Sequence, residues 1–182
     1  MKIPTGILQQ QVNLGAGGEE TLIDSYSESK KNGYSQVNIP SYGQTFSCGI
    51  DADISKAKFY LERVGGDETD AWIAELYAIT GNYGVWAYPV GSPLAVSDPI
   101  DNYDIPSSGY NLVDFLFTGA EQYSMVSGQK YAIVITRNGS SVCNLARDGL
   151  SPTHSGNYVY YENGSWTGAS TRDYPFYVYG LV

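Results

Sequence analysis

At 182 residues the chain is long enough for one domain whose core needs no staple, since a domain of this size buries roughly 70% of its unfolded surface. Its 19 Asp and Glu against 10 Lys and Arg leave a net charge of -9, which argues against a phosphate backbone or an anionic membrane surface as partner. Charged residues are only 16%, while 21 Gly and 17 Tyr are high for the length, a composition suited to turn-rich strands with half-wet faces.

Residues 1–20 read as an extended N-terminal arm. Ile3, Ile7, Leu8, Val12 and Leu14 are scattered among Gln, Asn and Gly, and Gly15-Ala16-Gly17-Gly18 makes a joint. Such an arm can be disordered, cover an edge of its own domain, or add a strand to a neighbouring subunit. MKIPTGILQQQ has a single Lys, an early Pro and a Gln run where a signal peptide needs an apolar core, so the expectation is cytosolic synthesis without a secretory signal. No stretch approaches the roughly 20 apolar residues of a membrane span.

Residues 21–182 read as strands and loops in a single domain. The organising stretch is SKAKFYLERVGGDETDAWIAELYAI, residues 55–79, two strands joined by an acidic, glycine-containing turn. Ala57, Phe59 and Leu61 alternate with Lys58, Tyr60 and Glu62; Trp72, Ala74, Leu76 and Ala78 alternate with Ala71, Ile73, Glu75 and Tyr77. A helical period also fits Ile54, Ala57, Leu61 and Val64, but aromatic and β-branched neighbours and closely spaced glycine turns favour strands. Further strands are predicted at 21–24, 42–48, 94–97, 110–117, 130–137, 141–146, 158–161 and 174–179. Asn138-Gly139 and Asn163-Gly164 are the sharpest hairpin signals between them. Val113, Phe115 and Phe117, with Tyr131, Ile133 and Ile135, are predicted to share the core with the tryptophan row. The fold expected is all-β: an antiparallel two-sheet β-sandwich of jelly-roll type.

The ordered series Asp24-Ser25-Tyr26-Ser27-Glu28-Ser29, Tyr42-Gly43-Gln44-Thr45-Phe46, AKFYLERVG, AELYAITGNYG, PLAVSD, FLFTG, SGQKYAIVI, SPTHSGNYVYY and a terminal FYVYG resembles the jelly-roll domains of tailed-phage and metagenomic structural proteins, similar to choice-of-anchor surface domains. It covers about residues 22–180. The resemblance implies a non-catalytic sandwich displayed on a particle or cell surface; that family carries no agreed ligand, so no functional residue is transferred. Anchored members carry a signal and an anchor that this chain does not show, which points to a virion component made in the host cytoplasm. The expectation is a non-enzymatic capsid decoration (cement) or fibre-type subunit. Its arm would hold other virion subunits and further copies of itself in a homo-oligomer, with neither nucleic acid nor membrane as partner.

His154 is the sole histidine, in a loop where a backbone hydrogen bond is the simpler role and no GxSxG or metal spacing completes a catalytic site. Acids gather in turns at Asp51/Asp53, Asp67/Glu68/Asp70 and Asp98/Asp101/Asp104. The last group is the candidate for Ca²⁺, which takes six to eight oxygens, although solvated turns explain it as well. Cys48 and Cys143 are read as two buried thiols rather than a disulfide. Tyr83, Trp86 and Tyr88 in GNYGVWAYPVG, with Trp166 after the Asn163-Gly164 turn, are candidate contacts for a glycan or a partner; the competing role is to cap the sandwich ends. The alternative function is therefore a carbohydrate-binding adhesin domain.

Overall fold

The structure is a computed structural model that describes residues 18–37, 40–66 and 70–182. The arm positions Ile3, Ile7, Leu8, Val12 and Leu14, and Asp67 and Glu68 of the acidic turn, lie outside the described residues. In chain order the strands are β1 (Glu20–Tyr26), β2 (Gly33–Val37), β3 (Ser41–Ser47), β4 (Ala52–Gly65), β5 (Ala71–Thr80), β6 (Tyr88–Val96), β7 (Ile100–Asp101), β8 (Asn111–Leu116), β9 (Ser124–Met125), β10 (Lys130–Asn138), β11 (Val142–Arg147), β12 (Tyr158–Glu162), β13 (Ser165–Ala169) and β14 (Phe176–Leu181).

Period-two alternation makes these strands one-sided, and the buried sides meet. Ala57, Phe59 and Leu61 of β4 and Trp72, Ala74 and Leu76 of β5 are fully buried in one cluster with Phe115, Phe117, Ile133 and Ile135. The two rows come from different sheets. One sheet runs β1-β14-β4-β8 and the other β3-β10-β5-β6, all antiparallel. Those eight strands in that order are the jelly-roll winding, in which successive strands alternate between sheets except at the β5–β6 pair, and the last inserts between the first and third.

Between β10 and β14 the chain makes an excursion. β11 joins β4 end to end with β14 and pairs β2, while β12 and β13 extend the second sheet beyond β3. Asn163-Gly164 is the expected hairpin: both residues take positive φ (51° and 81°) and Tyr161 pairs Trp166 across the turn. Asn138-Gly139 departs from expectation, because β10 and β11 lie in different sheets. There the Asp70 carboxylate accepts hydrogen bonds from the backbone N–H groups of Ser140 (2.9 Å) and Ser141 (2.6 Å) and turns the chain outward instead. The sequence reading also missed β2, whose GYSQV is mostly polar, and β13, whose SWTGA is small and short.

Cys48 and Cys143 are free and buried, and burial pushes the Cys143 thiol pKa up. Among the described residues no helix is long and apolar enough to cross a membrane.

Candidate functional site

The second sheet is lined on its far side, away from β4, by a second and smaller apolar cluster. Tyr77, Ala132, Val134 and Val159 are buried there, with Ile79, Tyr88 and Trp166 packed around them. The sheet curls until its edge strands β13 and β6 touch, which makes this face concave. Gly168 permits the closure: a Cβ there would stand 2.0 Å from the Ala87 carbonyl oxygen. Asn157 ties the same seam by donating from Nδ2 to that carbonyl at 2.8 Å.

An open groove of about 350 Å³ runs along the concave face, lined by Ser41, Glu75, Tyr77, Thr136, Tyr161 and Trp166 together with Pro40 and Gly91. Its opening follows from a break in register. Leu76 pairs Ala95 but Ala78 pairs Val90, so residues 91–94 bulge away from β5 opposite Tyr77. The Trp166 indole stands edge-to-face with Tyr77 (5.6 Å between centroids, 64°) and with Tyr161 (5.2 Å, 61°). Beside the rings Thr136 Oγ1 donates to Glu75 Oε2 at 2.5 Å, and Ser41 Oγ lies 2.8 Å from Thr136 Oγ1. Burial, reinforced by the Glu75 charge, raises the Tyr77 hydroxyl's pKa, so it stays a protonated donor at ordinary pH.

The four aromatic residues singled out in the sequence are divided by the structure. Trp166 is in the groove and Tyr88 packs on the same cluster. Trp86 is 50% exposed and leans on Tyr88 (6.4 Å). Tyr83 faces another way, with its hydroxyl 3.1 Å from Ser155 Oγ and Lys130 Nζ 4.5 Å over its ring. The loop that carries these three lies along the seam of the curled sheet, where Gly84 N–H bonds to Asn157 Oδ1 (3.2 Å). Tyr77, Tyr161 and Glu75 were missed as site residues. A signal was present in β5: Glu75 and Tyr77 stand in its outward row with Ala71, Ile73 and Ile79, too apolar for a face left simply to water.

His154 is held at both ring nitrogens. Nδ1 accepts from the Gly156 N–H (3.0 Å), and Nε2 is 3.4 Å from Asp24 Oδ1. Burial pushes the Asp24 carboxyl up, but the His154 ring and the backbone N–H groups of Ser47 and Ser25 outweigh it and leave its pKa below the ordinary value. Nearby, Asp173 accepts from Gln44 Nε2 and from His154 N–H, both at 2.8 Å, and burial leaves its pKa raised. These residues sit where the chain passes between sheets, and their polar groups bond to one another. Asp98, Asp101 and Asp104 do not converge: Asp98 accepts from Thr118 Oγ1 (3.0 Å), and among the described residues no group of three or more His, Cys, Asp or Glu could hold a metal ion.

Compared with known proteins, the chain matches no family model and no curated protein.

Proposed function

We propose that the protein is a non-enzymatic recognition module that binds a neutral saccharide in the concave groove of its second sheet. The observation that carries this reading is the groove itself, in which an indole flanked by two phenol rings stands beside a hydrogen-bonded carboxylate and two hydroxyls. A sugar ring has an apolar C–H face and a rim of hydroxyls. The aromatic cluster suits the first, and Glu75, Ser41 and Thr136 suit the second. Hydrolysis by paired acids needs a second carboxylate roughly 5 to 9 Å from the first, and among the described residues lining the groove Glu75 is the one acid. That supports binding without cleavage.

The resemblance to jelly-roll domains of tailed-phage structural proteins supports a place on a virion, as capsid decoration or fibre-type subunit. Many copies on one particle would multiply a weak sugar contact into firm attachment. A glycan array probed with the wild-type chain and with Trp166→Ala tests the groove. The expected result is binding to neutral glycans that falls about tenfold or more in the variant, the loss of one stacking ring. No neutral glycan bound, or binding unchanged in Trp166→Ala, would sink the reading.

A further inference from the structure

We infer that a second site, on the opposite face of β12 from the groove, takes a sugar ring that carries a carboxylate, such as a terminal uronate or sialate. Alternation along β12 sends Tyr161 to the groove and Tyr158 and Tyr160 to the other face. There a cleft of about 240 Å³ is lined by Tyr42, Tyr158, Tyr160, Glu162 and Arg172. The inference does not rest on the groove reading, because no residue lines both places.

The three phenol rings form a row. Tyr158 and Tyr160 are nearly parallel (11°, centroids 5.7 Å apart), and Tyr160 and Tyr42 stack at 29° and 6.3 Å. Arg172 lies with its guanidinium carbon 4.6 Å over the Tyr158 ring and donates from Nη1 to Ser35 Oγ at 3.3 Å. Ser35 is itself fixed by the Tyr174 hydroxyl at 3.2 Å, so the arginine is positioned from behind. Among the described residues no carboxylate reaches ion-pair distance of Arg172, although the chain has almost twice as many acids as bases. A stacked, pre-positioned guanidinium with donors to spare fits the planar fork of a carboxylate better than any neutral group. Glu162, at the same cleft, can only accept hydrogen bonds when ionised, which suits ring hydroxyls. Flat tyrosine faces beside a carboxylate receptor and a hydroxyl acceptor together describe an acidic monosaccharide.

Isothermal titration of the full chain with D-glucuronate, N-acetylneuraminate and D-glucose decides it. The expected result is binding of either acid sugar at least tenfold tighter than glucose, lost in Arg172→Gln, partly kept in Arg172→Lys, and unchanged in Trp166→Ala. Circular dichroism checks that the variants fold, and the preference of the wild-type chain for acid over glucose decides the matter even if Arg172→Gln does not. Equal affinity for glucose and glucuronate, undiminished binding in a folded Arg172→Gln, or no binding of either acid sugar would overturn the inference. An acid-sugar result leaves the groove reading standing or falling on Trp166 alone.

Discussion

Asp148 accepts hydrogen bonds from the Tyr26 hydroxyl (2.7 Å), the Asn32 amide, and the backbone N–H groups of Leu150 (3.1 Å) and Ser151 (3.0 Å), although the residue is only 2% exposed. Burial pushes its carboxyl up, but these donors outweigh burial and hold its pKa below the ordinary range. Asp24 is depressed in the same way. A depressed folded-state pKa contributes stability that is present above the unfolded carboxylate value, about 3.9, and lost as pH falls through the folded value. Urea midpoints followed from neutral pH downward should therefore drop below about pH 4, and Asp148→Asn should make that drop shallower. An acid limb that is as steep in the variant would contradict the assignment. Asp148→Ala should cost about 3 kcal/mol at neutral pH, since it strands several buried donors at once. None of this was legible in the sequence. Asp24, Gln44, Asp148, His154 and Asp173 are scattered along the chain with no motif spacing, and only the crossing of the chain between sheets gathers them.

The hairpin β12–β13 positions both proposed sites, and its formation is written into its turn. Asn163 and Gly164 tolerate the positive φ that a two-residue hairpin needs, and the strands on either side pair without a break from Glu162↔Ser165 to Tyr158↔Ala169. Gly164→Ala should destabilise the protein by about 1 kcal/mol in chemical denaturation and weaken saccharide binding, because Trp166 is placed by that register. Gly168→Ala should cost more, about 2 kcal/mol, by forcing β13 off the Ala87 carbonyl. If it unfolds like the wild type, the edges of the curled sheet are not held as described. The Asn163-Gly164 hairpin was readable because the signal is local. At Asn138-Gly139 the same dipeptide fails to make one, because Asp70, far away in sequence, captures the backbone N–H groups of Ser140 and Ser141. The register break at Tyr77 that opens the groove was equally hidden, since GSPL reads as an ordinary interruption before a strand.

For the molecule as a whole, the alternation of apolar residues determines the sandwich. The rows at Ala57, Phe59, Leu61 and at Trp72, Ala74, Leu76 are buried as their period requires, which is why the jelly-roll architecture could be read in advance. Pairing partners could not, because period-two patterns say which side of a strand is wet and not which strand lies next to it. The segment added between β10 and β14 supplies Tyr158, Tyr160, Tyr161, Trp166 and Arg172, so both proposed sites combine its residues with others from jelly-roll strands, Tyr42 in one and Ser41, Glu75, Tyr77 and Thr136 in the other. Gly18 packs against Val182 at the end of the β1–β14 pair. Removal of residues 1–18 should leave a folded domain and abolish co-sedimentation with capsids, as the virion reading expects of an assembly arm. A truncated chain that still sediments with particles at full occupancy would remove the arm from that account.

The three tryptophans offer a direct test of where a ligand sits. Trp72 is fully buried with Nε1 bonded to Asn102 (3.1 Å), Trp86 is exposed on the seam loop, and Trp166 alone is in the groove. A titration of the ¹⁵N-labelled chain with a neutral oligosaccharide, read at the three indole N–H signals, should move the Trp166 signal and leave that of Trp72 in place. A bound sugar that leaves Trp166 unmoved, or shifts only Trp86, would contradict the groove as the seat of recognition.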